Sequence, residues 1–257
     1  MRPVGFLVTA GVAVSIGGCD VVFGLSSDRD PCDATSFATA TPKDITAAVD
    51  FSVSWDRSFA VVLLDVGSFE VTLADGTATP IDLGVYTMSG LALAPEGTSM
   101  FFTAIVEPPS LQGALRAGAA TWVTTSARLP AGTFAGTPTA DEFGPRRVLV
   151  RLRDATDQVQ EYEDDDGLWK PHGDVHEVGS TYAPNLTPNG LTMVFAGTDP
   201  ATLEPAVFLA TRASIDDWFG DPVAILPGPH RSPQLLDTCK ALYVVDDFQT
   251  LREYDRP

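Results

Sequence analysis

The sequence is short of positive charge. Only 16 Lys and Arg stand against 34 Asp and Glu in 257 residues, a net charge of −18. Nucleic-acid binding needs clustered basic side chains that displace counterions. The one concentration here, Arg146, Arg147, Arg151 and Arg153, alternates along a strand-like stretch. Nucleic acid is excluded as a partner, and the acidity suits a self-repelling exported domain. Histidine and cysteine number three each, which leaves few soft metal ligands. No segment holds a long, clean 3.6-residue apolar period; Ala201 to Ala213 alone imitates a helix. Neither a Gly-x-Ser-x-Gly nucleophile turn nor a phosphate-cradling glycine loop occurs.

Turn residues, by contrast, are plentiful: 22 Gly and 20 Pro. Pro184-Asn185-Leu186-Thr187-Pro188-Asn189-Gly190-Leu191-Thr192-Met193-Val194-Phe195-Ala196 reads as strand, turn and apolar strand. Asn189 and Gly190 both adopt positive φ cheaply, so the expected turn is type I′. Asp75-Gly76 marks a second hairpin. The first pattern recurs. Leu93 to Thr103 lies on Leu186 to Ala196, and Pro233 to Val244 lies on Pro184 to Phe195. Weaker copies are Val53 to Val62 and Thr139 to Phe143, the latter running into Val148-Leu149-Val150. Asp56, Glu96, Glu142, Asn189 and Thr238 form one column, with spacings of 40, 46, 47 and 49 residues. Turn-plus-strand repeats of that period indicate a β-propeller, one four-stranded blade per repeat. The expected fold is all-β, with five blades or six, the sixth lying in the long third repeat or around Asp44 to Val53. A β-sandwich is the alternative.

A further segment, Ala210-Thr211-Arg212-Ala213-Ser214 followed by Phe219-Gly220-Asp221-Pro222-Val223, resembles the repeat unit of TolB-type, WD40-like propellers. Trp122 to Arg128 followed by Thr133 to Pro138 reads as a second copy, with Phe134 on Phe219. The resemblance covers residues 50 to 257, is degenerate outside two blades, and implies fold more than activity.

Residues 1–18 read as a signal peptide: Arg2, a short apolar stretch from Val4 to Val14, then small residues. Ile16-Gly17-Gly18-Cys19 resembles a bacterial lipobox. That resemblance implies cleavage before Cys19, a diacylglycerol thioether on its sulfur and acylation of the new terminus. Several acyl chains anchor a protein stably, each methylene contributing about 0.8 kcal/mol. Asp20 resembles the inner-membrane retention signal of enteric bacteria, and the choice between inner and outer membrane stays open. Residues 19–48 read as a lipidated N-terminus and linker, and 49–257 as the propeller. With Cys19 lipidated, Cys32 and Cys239 are left as an even pair in an oxidising compartment. Joined, they would staple the two ends of the ring; the alternative is two buried thiols.

The remaining candidates are weak. The acidic run from Glu161 to Gly167 offers Asp164 and Asp166 to a hard cation, yet it lacks spaced calcium-loop ligands and reads equally as a solvated hairpin tip. His172 and His176 stand four apart, but Pro171 and Gly173 argue against the helix that would join them on zinc. No metal or cofactor is assigned. Glu96 and Glu142 suit turn roles better than glycosidic catalysis. Trp122, Trp169 and Trp218 fit inter-blade packing better than a sugar platform. The leading expectation is a lipid-anchored envelope propeller acting as a non-catalytic binding or scaffold module, with a protein or cell-wall carbohydrate partner. The alternatives are a hydrolase such as a glycosidase on the same fold, or a carbohydrate-binding surface lipoprotein.

Overall fold

The computed structural model describes residues 32, 39–42, 45–84, 88–104, 110–126, 132–152, 158–177, 182–236 and 239–255. The signal stretch, Cys19, Asp20 and Thr238 lie outside them. Among the described residues twenty strands form five antiparallel four-stranded sheets. Blade 1 is β2(Ala48–Val53), β3(Phe59–Leu64), β4(Gly67–Thr72) and β5(Ala78–Ile81). Blade 2 is β6(Met88–Leu93), β7(Ser99–Ala104), β8(Ser110–Gly118) and β9(Thr121–Ser126). Blade 3 is β10(Gly132–Ala135), β11(Arg147–Leu152), β12(Gln158–Asp165) and β13(Leu168–Glu177). Blade 4 is β14(Tyr182–Leu186), β15(Thr192–Thr198), β16(Pro205–Thr211) and β17(Val223–Pro227). Blade 5 is β18(Arg231–Leu236), β19(Ala241–Val245), β20(Leu251–Asp255) and, from the N-terminal side, β1(Thr39–Pro42).

The five repeated apolar runs are the second strands, β3, β7, β11, β15 and β19. A second strand is covered on both faces by neighbouring blades, so it is buried nearly throughout: every residue of Ala241–Val245, and all but the last of Phe59–Leu64. Neighbouring blades share clusters. Phe59, Val61 and Leu63 of blade 1 pack with Met100 and Phe102 of blade 2. Phe51 and Val62 of blade 1 pack with Tyr243 and Val245 of blade 5, which closes the circle. Every first strand slips register against its second strand, at Ala48/Asp50, Ser89/Ala92, Gly132/Phe134, Tyr182/Asn185 and Arg231/Gln234. Five irregularities at equivalent places bend the inner strands around one axis.

The structure departs from the sequence reading at several points. There are five blades; Ala48–Val53 is an inner strand and the long third repeat is a single blade. The stretch read as linker supplies β1, which pairs Thr39 with Asp255 and Pro42 with Arg252. It pairs the outer edge of β20 and so supplies the fourth strand of blade 5. The Asn189 turn is not type I′: Gly190 has φ 70° but Asn189 does not reach positive φ. Gly190 N–H donates to the Thr187 carbonyl at 2.8 Å, and Asn189 Oδ1 accepts from Leu191 N–H at 3.0 Å. The side chain thus holds the loop without the backbone going left-handed. Two consecutive positive φ values occur instead at Asp166 (54°) and Gly167 (80°), in the two-residue loop between Asp165 and Leu168. Phe134 and Phe219 are not equivalent either. Phe134 is in a first strand, whereas Phe219 lies between the third and fourth strands of its blade. Ala201 to Ala213 is a loop and β16.

Candidate functional site

The ionisable side chains gather at blade boundaries. Glu161 on β12 and Arg212 after β16 are both buried and form a two-pronged pair, Nη1 to Oε2 and Nη2 to Oε1 each 2.9 Å. Arg212 Nε donates to the Gly190 carbonyl at 2.6 Å, and its guanidinium lies 4.5 Å over the Phe219 ring. Beside it, Arg147 Nη2 sits 2.9 Å from both Glu163 and Asp216. That contact holds the exposed Asp216 carboxyl below its ordinary value, through the hydrogen bond first and the charge second. Blades 1 and 2 repeat the arrangement: Glu70 accepts from Arg116 Nε at 3.2 Å and from Trp122 Nε1 at 3.1 Å. At the 5|1 boundary Glu253 pairs with Arg57, whose Nε donates to the Tyr243 hydroxyl at 3.0 Å.

The inner strands are joined by polar side chains. Asp50 accepts from the Phe51 and Leu91 amides at 2.9 and 3.0 Å, and from Gly90. Burial pushes the Asp50 carboxyl up, and the hydrogen bonds from Ser232 and these amides oppose it. Asn185 accepts from Thr137 N–H at 2.8 Å and donates to the Pro233 carbonyl at 2.8 Å, linking blades 3, 4 and 5. Gln234 reaches Val53 through both amide atoms, at 2.7 and 3.1 Å.

The sequence-derived candidates distribute as follows. Trp122 contacts Glu70, Trp169 meets Phe101 edge-on at 5.7 Å, and Trp218 stacks on His176 at 3.5 Å. Each reaches from its own blade to the preceding one, as packing elements do. Glu96 lies on the turn between β6 and β7 of blade 2, and Glu142 lies in a short 3-10 helix, Asp141–Phe143, between β10 and β11 of blade 3. The Glu161 to Gly167 run is only partly a solvated tip, because Glu161 and Tyr162 are buried. Asp164 accepts from Gly167 N–H at 2.7 Å, His172 lies 3.6 Å from Glu163 and 3.9 Å from Asp216, and His176 is engaged by Trp218. Among the described residues no three His, Cys, Asp or Glu side chains gather where they could hold a metal. Cys32 and Cys239 are disulfide-bonded, their Cα atoms 5.7 Å apart. Cys239 lies between β18 and β19, on the face that carries all the first-to-second-strand turns, and Cys32 N–H donates to Thr192 Oγ1 of blade 4 at 2.9 Å.

The opposite face carries the loops between second and third strands. Sequence reasoning passed over three residues there: Val66 (82% exposed), Leu203 (77%) and Phe248 (77%). No other exposed large apolar side chain exceeds 54% among the described residues. The available signal was a bulky apolar residue beside an acid in a polar loop: Asp65-Val66, Leu203-Glu204 and Asp247-Phe248.

A ring of five four-stranded blades, closed by its own N-terminal strand, defines the class: this is a β-propeller. No protein-family model matches the sequence, and no curated protein does. Solved structures do resemble it. TolB from Acinetobacter baumannii has 14% identity and a TM-score of 0.48 over 82% of this chain and 55% of that one. The chain therefore spans little more than half of that protein. A putative TolB from Agrobacterium tumefaciens has 15% identity and a TM-score of 0.48, over 80% of this chain and 72% of the other. The calcium-binding protein regucalcin from Agrobacterium tumefaciens has 14% identity and a TM-score of 0.50, over 81% and 76%. At such identities the likeness is one of fold.

Proposed function

We propose that this chain is an exported, lipid-anchored propeller that serves as a non-catalytic binding or scaffold module of the cell envelope. The observation that carries the reading is where the ionisable groups are placed. Glu70, Glu161, Glu163 and Glu253 each meet an arginine, and three of those arginines come from the adjoining blade. Catalytic acids need environments that set their pKa values apart around a shared cleft; three of these four acids instead tie one blade to the next. Export is supported by the disulfide, a bond kept in oxidising compartments. The anchor rests on the lipobox-like Ile16-Gly17-Gly18-Cys19.

Replacing Cys19 by Ser tests the anchor. The expected result is an unprocessed precursor with altered membrane fractionation, and mature-size protein with unchanged membrane association would sink it. The module reading is tested by screening the purified protein against glycoside, ester and peptide substrates. Turnover that disappears with Glu96→Gln or Glu142→Gln would replace it with an enzyme.

A further inference from the structure

We infer that the face formed by the loops between second and third strands of blades 4, 5 and 1 docks a cationic, apolar protein segment. The inference rests on the binding-module reading. Val66, Leu203 and Phe248 occupy the same place in three blades that follow one another around the ring. They are also the most exposed large apolar side chains described, which ties exposure to one class of loop and not to scatter.

The backbones of the loops that carry these side chains are tied down. Leu203 has φ 61°, a conformation that Gly or Asn adopts at less cost. Leu203 N–H donates to the Asp199 carbonyl, and Asp199 N–H to the Glu204 carbonyl, both at 2.8 Å. Asp246 Oδ1 accepts from the amides of Phe248 and Thr250 at 3.0 and 2.9 Å, fixing the loop under the ring. Val66 sits in a two-residue loop between the paired Leu64 and Gly67. Apolar anchors on loops whose backbone is already ordered lose less freedom on binding.

Charge selects the occupant. Each anchor adjoins an exposed acid, Asp65, Glu204 or Asp247, and Asp82 is exposed on the same face. The cations described there are Arg231 and Arg252, the latter held by Asp246 at 2.5 Å, while burial pushes the His230 imidazole down, towards its neutral form. An anionic bilayer and a second copy of this acidic chain would both meet like charge; a basic segment would meet complementary charge. Position agrees. Cys32 is fixed to Cys239 on the turn face, so on the lipid-anchored reading the tether leaves from the side opposite the anchors.

The test uses purified full-length protein and a fluorescent peptide of about 12 alternating Leu and Arg residues, with Ser–Arg and Leu–Gln peptides as controls. The Leu–Arg peptide should bind roughly tenfold or more tightly than either control. Val66→Ser, Leu203→Asn and Phe248→Ser together should remove that advantage, Asn being tolerated at positive φ. Asp65→Asn, Glu204→Gln and Asp247→Asn together should weaken binding and flatten its salt dependence. Leu115→Ser, Val123→Ser and Val223→Ser, on outer strands, should leave it unchanged. Equal binding by the tip and outer-strand variants, or no binding at all, would overturn the inference. So would tip-dependent binding to phosphatidylglycerol vesicles, or tip-dependent self-association in sedimentation. Binding that survives loss of the tips removes this face and leaves the module reading standing.

Discussion

Two blade boundaries solve the same packing problem differently. At the interior boundary between blades 3 and 4, the turn residue at positive φ is Gly190. A Cβ added there would lie 2.9 Å from the Thr139 methyl of blade 3 and 3.3 Å from Ile215. Gly97 of blade 2 is equivalent, with the Phe59 ring of blade 1 at 3.0 Å from the same imaginary atom. At the seam where the chain's ends meet, the corresponding positions are Arg57 (φ 56°) and Cys239 (φ 68°). Both accept a left-handed conformation that costs an L-residue about 1–2 kcal/mol. Both put the side chain to use, Arg57 on Glu253 and Cys239 on Cys32. Interior boundaries thus rely on close approach. The seam, where β1 and β20 meet from opposite ends of the chain without a hairpin to join them, relies on reach.

The interior boundary should break most severely at Glu161. Glu161→Gln leaves the Arg212 guanidinium, with a side chain 0% exposed, without its counter-charge. Removing one member of a buried pair costs about 3–5 kcal/mol, readable as a shift in denaturation midpoint. Glu161→Leu with Arg212→Met should recover much of the loss, since the isosteric apolar pair strands no charge. A cost for Glu161→Gln within the noise would mean that packing, not the pair, holds blades 3 and 4.

The seam should break next. The disulfide spans 207 residues, and the chain-entropy picture puts a ceiling of about 5 kcal/mol on such a closure. Because β1 pairing with β20 also holds the ends, Cys32→Ser with Cys239→Ser should cost about 2–4 kcal/mol. The loss should appear in chemical denaturation and coincide with reduction of the wild type by dithiothreitol. Two alkylatable thiols in the folded, exported protein would refute the bond.

Close approach is tested by Gly190→Val and Gly97→Val. Strain at positive φ and contact with the neighbouring blade should together cost about 2–3 kcal/mol at each. Arg57→Gly should release the backbone strain yet still destabilise, because the tie to Glu253 is lost. If Arg57→Gly stabilises, the seam residues are tolerated and not used.

Part of this was legible in the sequence. Continuous apolar runs at fixed spacing identify second strands because both their faces are covered, and left-handed turn positions attract Gly. The rest depended on partners far along the chain. Nothing local separates Glu161, buried on Arg212, from Asp165, four residues nearer the tip on the same strand; both belong to one acidic run. Asn189-Gly190 carries a type I′ signal, but Asn189 Oδ1 captures the Leu191 amide and selects another loop. Phe134 and Phe219 share a residue pattern without sharing a strand position, since β9 ends one blade where β16 sits inside another. The exposed anchors escaped notice because a lone Leu or Phe in a loop becomes conspicuous only when three blades place it alike.

The smallest effect concerns Asp216, at the outer edge of the same interior boundary. Its hydrogen bond and charge contact with Arg147 lower its carboxyl below the ordinary 3.8, with minor help from His172 and Arg212. A carboxylate whose folded-state pKa is depressed stabilises the fold fully above its unfolded value and loses that contribution as pH falls through the folded one. Wild type and Asp216→Asn should therefore differ at neutral pH and converge as pH falls through the depressed carboxyl. The carboxylate is exposed, so solvent screening keeps the difference small and added salt should shrink it further. Arg147 itself retains Glu163 at 2.9 Å and the Ile215 carbonyl, so losing Asp216 strands no charge. That separates this position from Glu161: both carboxylates face an arginine across the same two blades, and only the buried one leaves its partner alone when removed. A large, pH-independent loss in Asp216→Asn would show that the loop carrying it, and not the ion pair, supports the boundary.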